Sequence, residues 1–404
     1  MIWKNANRRK FLGSLAGLPL VGGLLPSAAS AAARSGAAER DLIAELGVQS
    51  FINAAGTYTT LTASLMPPEV IGAITSAATK YVNLIELHDA VGKRIAELVK
   101  AESALVSAGC ASALSQATAA CVAGADRDKI QMLPDTHHMK NEVICQKSHR
   151  NGYDHAIRNA GVTMIEVETA QELERAVNHK TAMMFYLNHA TPEGKIKHEE
   201  FVALGKKHGI PTLIDAAADV PPVENLYKFQ GLGFDLVAFS GGKGMRGPQS
   251  AGLLLGRKDL IAAARMNASP NSDSLCRTNK VNKEELVGML AAVERFVKLD
   301  HEAEWKMWEK RCDVVAKEVK KAKTVQTKVF VPEIANAVPH LEVTWDEAKV
   351  GRTREQVVEG LRKGSPNIEL RPGGGKGLVV VAVSMMQDGD EDVVARRLRE
   401  ELKG

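Results

Sequence analysis

The sequence predicts an α/β fold, with a large domain on a mixed, mainly parallel sheet flanked by helices and a small α+β domain at the C-terminus. Three observations predict it. From Asp41 onward short apolar runs alternate with longer amphipathic ones. The short runs are apolar without in-out alternation, as strands covered on both faces are. Beyond about residue 310 the pattern changes to brief strands interleaved with two helical stretches.

The elements follow in order. Residues 1–33 read as an export leader: Arg8 and Arg9 precede an uncharged stretch from Phe11 to Ala33 that closes on the small residues Ala29 to Ala33. The paired arginines have the form of a twin-arginine signal. Residues 34–66 form an N-terminal segment, 67–300 the large domain and 301–404 the small one. Strands are expected at Ile130–Leu133, Thr163–Val167, Ala182–Tyr186, Pro211–Asp215, Leu236–Ser240 and Gly252–Leu255, with helices at Gln171–Val177 and Phe201–Lys207. Leu286, Met289, Leu290, Val293, Phe296 and Val297 recur at helical steps, which predicts one long helix from Lys283 to about Glu309. The small domain then takes strands at Val329–Val331, Leu341–Thr344, Ile368–Leu370 and Leu378–Val383, with helices at Arg354–Lys363 and Glu391–Lys403.

Composition narrows the function. Of 404 residues 45% are hydrophobic and 25% charged, with 52 Lys and Arg against 48 Asp and Glu. Lys4, Arg8, Arg9 and Lys10 are the only charges of the leader, so its removal takes the formal net charge from +4 to zero. A neutral body with 4% aromatics offers no nucleic-acid surface, so no nucleic-acid partner is expected. Five cysteines without a C-x-x-C pair form neither a disulfide framework nor a zinc cluster. His137 and His138 are adjacent but lack a third ligand at useful spacing, and no metal is expected.

Three pieces carry chemistry. In the stretch LVAFSGGKGMRGPQSAG an apolar strand runs into Ser240, two glycines and Lys243. A lysine in a glycine-rich turn at a strand end can approach a carbonyl cofactor and form a Schiff base. Upstream, the run Thr212, Leu213, Ile214 ends in Asp215, where ligands bind in open α/β sheets. Such a carboxylate can pair with the pyridine nitrogen of pyridoxal phosphate and keep it protonated. The third piece, Val106 to Leu114, is a run of small residues that opens a helix able to hold a phosphate on its first N–H groups. The order is phosphate cup, acid, lysine.

The stretches INAAGTYTTL, LHDAVGKRIAELVKAESALVSAGCASAL, IDAAAD and SGGKGMRGPQSAG resemble the selenocysteine synthase-like branch of the fold-type I pyridoxal-phosphate enzymes (the aspartate aminotransferase fold), and within it D-glucosaminate-6-phosphate ammonia-lyase-type proteins. The resemblance runs from Asp41 to the C-terminus. It implies the cofactor pyridoxal 5'-phosphate, Lys243 as its Schiff-base lysine, Asp215 as pyridinium partner, and Ser240, Gly109, Cys110 and Ala111 around the phosphate. It also places a residue over the cofactor ring near His149, with Arg150 beside it for a substrate anion, and brings Asn53 and Thr57 to the mouth of the site. Arg371 is the candidate for the substrate carboxylate, since a guanidinium matches a planar carboxylate. Arg246 and Arg277 compete for that role.

The expected activity is a lyase reaction, dehydration and deamination of an amino acid or amino-sugar acid. Racemisation, transamination and oxidation use the same residues, and a non-catalytic ligand-binding protein is the alternative of another class. The leader implies the twin-arginine export machinery as a partner and a periplasmic or extracellular location. The fold implies a homodimer or a higher homo-oligomer.

Overall fold

The computed structural model describes residues 40–403, so the expected leader lies outside the described residues. The chain divides after Ser50. Residues 40–50 hold one short helix, Leu42–Glu45, started by Asp41, whose side chain accepts the N–H groups of Ile43 and Ala44.

The strands, in chain order, are β1 (Ile52–Ala54), β2 (Ser103–Ser107), β3 (Glu142–Gln146), β4 (Thr163–Val167), β5 (Thr181–Leu187), β6 (Thr212–Asp215), β7 (Leu236–Ser240), β8 (Gly252–Gly256), β9 (Gln326–Phe330), β10 (His340–Thr344), β11 (Ile368–Leu370) and β12 (Leu378–Ala382). A seven-stranded sheet takes the order β2-β8-β7-β6-β5-β3-β4. β8 is antiparallel to both its neighbours and every other pairing is parallel. This is the mixed, mainly parallel sheet expected. Its two faces carry separate apolar cores. One is built around Ile214, Tyr186, Phe201 and Phe239 and the other around Leu213, Phe185, Leu114 and Leu254. Alternate residues of one strand thus feed opposite cores, which is why these strands read as continuously apolar.

A third core gathers the C-terminal elements, among them Trp308, Val315, Leu341, Val379, Val381 and Leu398. Ala54 belongs to it, because β1 pairs in parallel with β11. The N-terminal segment is therefore stitched to the C-terminal part rather than standing apart. β12, β10 and β9 form an antiparallel sheet beside that pair.

Two expectations fail. Ile130–Leu133 is not a strand: residues Arg127–Met132 are helical, started by Asp126, which accepts the N–H groups of Asp128 and Lys129. The strand of that region is β3, whose Val143, Ile144 and Cys145 are fully buried. The single long helix is two, Lys283–Lys298 and His301–Val319. Asp300 breaks it by accepting the N–H of Ala303 as the cap of the second.

Candidate active site

β5, β6 and β7 run parallel and end side by side, with Leu187 opposite Asp215 and Asp215 opposite Ala238. The chemistry-bearing residues stand on the loops that leave these ends. Asp215 is only 6% exposed. Its Oδ1 accepts the Ala217 N–H at 3.0 Å and the Cys110 thiol at 3.5 Å. Burial pushes the Asp215 carboxyl above the usual carboxylate range, while the Ala217 N–H, the Lys243 ammonium and the Cys110 thiol pull it back. The same two charges act on Cys110, whose thiol burial and Asp215 push upward and Lys243 pulls down. Acid, thiol and lysine therefore share one small region.

The helix Gly109–Ala123 brings its start to that region. Its N-cap residue, Ala108, has no side chain able to accept, so the first N–H groups of the helix lack a capping partner. Gly109 itself adopts φ +78°, which re-aims the chain from β2 into the helix. The helix start rests directly on the end of the lysine loop: a Cβ on Gly252 would come within 2.5 Å of the Gly109 carbonyl carbon. An uncapped helix start, a buried strand-end carboxylate and a lysine together fit a ligand that carries a phosphate, a ring nitrogen and a carbonyl. That is the donor and acceptor set of pyridoxal phosphate. Ser240, at the end of β7, is half-buried on the rim, its N–H donated to the Ala217 carbonyl at 3.3 Å.

Other expectations are corrected by what already occupies the side chain. His149 is fully buried; its Nδ1 accepts the Leu187 N–H at 3.1 Å, its Nε2 faces the Gln146 amide at 3.2 Å, and its ring stands edge-on to Tyr186. It supports the end of β5 and offers no face to a cofactor; burial lowers it to about 4. Arg150 is spent on two carboxylates, Asp154 and Glu166, so it is not available to a substrate anion. Asn53 organises its own turn, accepting the N–H groups of Ala55 and Gly56 and donating to the Gly56 and Ala63 carbonyls. Thr57 is buried and donates its hydroxyl to Asn336. Arg246 is half-buried, with Nη2 donated to the Ser384 carbonyl at 2.7 Å. It lines a tight cavity with Arg295, Glu304 and Trp308. Arg371 makes no side-chain hydrogen bond or ion pair among the described residues, and it follows β11 directly beside the end of β1. Arg277 likewise has no side-chain partner among the described residues, but it is exposed.

Two residues escaped the sequence reading. Asn188 follows β5 directly, next to the Asp215 strand, and is 5% exposed. Asp219, four residues after Asp215, is equally buried, and burial raises it to about 6. For Asn188 the available signal was its place immediately after an apolar run, the same signal that singled out Asp215.

The aminotransferase class-V family matches residues 69–283, just over half of the chain. The chain belongs to the aminotransferase class-V family. The 5'-C-glycyluridine monooxygenase-decarboxylase of Streptomyces sp is 32% identical, over 88% of this chain and 90% of that protein. The D-glucosaminate-6-phosphate ammonia lyase of Salmonella typhimurium is 27% identical, over 88% of this chain and 96% of the relative. A solved structure of D-glucosaminate-6-phosphate ammonia-lyase superposes with a TM-score of 0.80 at 26% identity, covering 91% of this chain and 99% of that one. The fold is thus fold-type I, and this member of the class-V family is a pyridoxal-phosphate-dependent enzyme, as the motifs implied.

Proposed function

We propose that this enzyme is an ammonia lyase acting on an amino-sugar acid or a related 3-hydroxy amino acid. The reading is carried by the convergence of Lys243, Asp215 and the uncapped start of the Gly109–Ala123 helix, in a chain similar to an ammonia lyase over 96% of that relative's length.

When bound, pyridoxal phosphate supplies a carbonyl for the substrate amine and a ring that takes up negative charge from the neighbouring carbon. Lys243 Nζ is the amine that holds it, and once displaced it is the base that takes the proton from the substrate α-carbon. Asp215 would set a negative charge against the ring nitrogen, and with Oδ1 already committed to Ala217 and Cys110, Oδ2 is the oxygen left for that contact. The N–H groups at Gly109, Cys110 and Ala111, with Ser240 on the rim, would hold the phosphate. Arg371 takes the substrate carboxylate through its free donors. Loss of the 3-hydroxyl as water, with its proton returned by Lys243, leaves an enamine whose hydrolysis gives a 2-oxo acid and ammonia.

The relative that is a monooxygenase-decarboxylase favours a second reading, oxidation at the same carbon by dioxygen. The two separate in one assay. With D-glucosaminate-6-phosphate the lyase reading predicts equal amounts of ammonia and 2-oxo acid without oxygen uptake; oxygen uptake with carbon dioxide release supports the second reading instead.

We further infer a homo-oligomer, supported by the exposure of Leu65, Ile71, Tyr81, Val82 and Ile85 within one short stretch of chain. Export rests on Arg8, Arg9 and the apolar run behind them. N-terminal sequencing of the periplasmic protein should begin near residue 34, and a chain retaining Met1 in the cytoplasm would contradict export.

A further inference from the structure

Three segments distant in sequence meet beside the strand-end acid. Thr57, of the N-terminal segment, donates its hydroxyl to Asn336 Oδ1 at 2.7 Å. The Asn336 N–H donates to the Ala218 carbonyl at 2.7 Å. The Ala335 N–H donates to Asp219 Oδ1 at 3.0 Å. Ala335 and Asn336 belong to the loop between β9 and β10, and Ala218 and Asp219 to the loop that leaves Asp215.

The loop between β9 and β10 does not adopt this shape unaided. Ala335 and Asn336 have φ of +57° and +49°, consecutive left-handed conformations that residues with a Cβ avoid. Such a pair persists only where surrounding contacts hold it. The contacts on Asp219 are suited to that. Its N–H donates to the Ala216 carbonyl at 3.1 Å and its own carbonyl accepts the Asn225 amide at 2.6 Å, so the backbone behind the carboxylate is fixed on both sides. The side chain is 4% exposed, so water does not compete for Oδ1. A buried carboxylate is a costly way to hold one loop unless its position matters.

We propose that Asp219 is a positioning residue that fixes the β9–β10 loop to the Asp215 loop, with Thr57 as a second tie, and thereby sets the distance from Arg371 to the cofactor-side acid. The mechanical link is short. The loop leads straight into β10, β10 pairs with β12, and the β12 residue Val380 accepts the Arg371 N–H. The consequence for Arg371 rests on the reading given under Proposed function; the latch itself does not.

Amide hydrogen exchange on the full-length holoenzyme tests the latch without a substrate. Asp219→Ala should speed exchange at Ala335 and Asn336 about tenfold or more, the loss expected for a buried charge-assisted bond. Exchange along β6 and the cofactor absorbance should stay unchanged. Asp219→Asn keeps an acceptor at that place and should restore protection. Should Asp219→Ala not fold, Thr57→Val should loosen Asn336 from the other side. Unchanged exchange at Ala335 and Asn336 in either loosening variant would overturn the proposal. Ammonia release from D-glucosaminate-6-phosphate then tests the link to Arg371: Asp219→Ala should raise KM about tenfold while kcat holds within about threefold. A fall in kcat at unchanged KM would contradict that link, whereas absence of turnover in the wild type contradicts the lyase reading and leaves the exchange result standing.

Discussion

Asp215 and Cys110 show how much one hydrogen bond decides at the residue scale. The thiol and the Ala217 N–H both lean on Oδ1, which leaves the second carboxylate oxygen as the one open to a ring nitrogen. Asp215→Asn retains the shape and removes the charge. It should weaken pyridoxal-phosphate binding about tenfold to a hundredfold, read by fluorescence titration, and abolish turnover of the loaded enzyme. Unchanged affinity would mean that Asp215 does not face the ring. Residue type alone made Lys243 and Asp215 legible in the sequence, because a glycine-flanked lysine and a strand-end acid have few other uses together. His149, Arg150 and Asn53 misled for one shared reason. Each has donors or acceptors already taken by a partner distant in the fold or by its own turn, and sequence does not display that saturation.

At the scale of elements, the apolar strands were legible because each feeds two cores at once. β3 is not, since its apolar run is only three residues long and lies close to a longer-looking run at Ile130 that Asp126 turns into a helix. The split of the long helix was equally hidden under an unbroken apolar period, although Asp300 carries the signal of a cap. Asp300→Ala should cost about 1 kcal/mol in urea unfolding, the usual loss for a removed N-cap; no change would show that the break is held by packing instead. The contact between β8 and the helix start makes a second prediction. Gly252→Ala places a methyl where the Gly109 carbonyl carbon stands, so it should shift the helix start and weaken cofactor binding with little change in overall helix content by circular dichroism. Full cofactor affinity in this variant would detach the phosphate from that helix.

For the molecule as a whole, β1 anchors the N-terminal segment in the C-terminal core, and Ser64 and Thr59 tie the same segment to the lysine loop through the Gly242 carbonyl and the Gln249 amide, so it is a strap rather than a lead-in. The resemblance brought Asn53 and Thr57 to the mouth of the site, but the pairing with β11 was not legible, because a parallel two-stranded pairing between residues more than three hundred apart leaves no local pattern. Asp219 and Thr57 of that strap hold the same β9–β10 loop, and the titration of Asp219 is a property of the folded whole. Burial raises its carboxyl to about 6, above the range of about 3.9 for an exposed aspartate. Its contribution to stability is therefore complete below about pH 4 and is lost as pH rises through about 6. Asp219→Asn should gain on the wild type by up to about 3 kcal/mol between about pH 4 and about pH 8, measured by urea unfolding. A constant difference across that range would show that folding does not raise the Asp219 carboxyl.

The central claim is that Lys243 carries the cofactor beside Asp215. Reduction of the purified protein with borohydride, followed by peptide mass mapping, tests it directly. The account predicts loss of the visible absorbance and a pyridoxyl label on Lys243, with neither seen in Lys243→Ala; a label on another lysine, or none after saturation with pyridoxal phosphate, would contradict it.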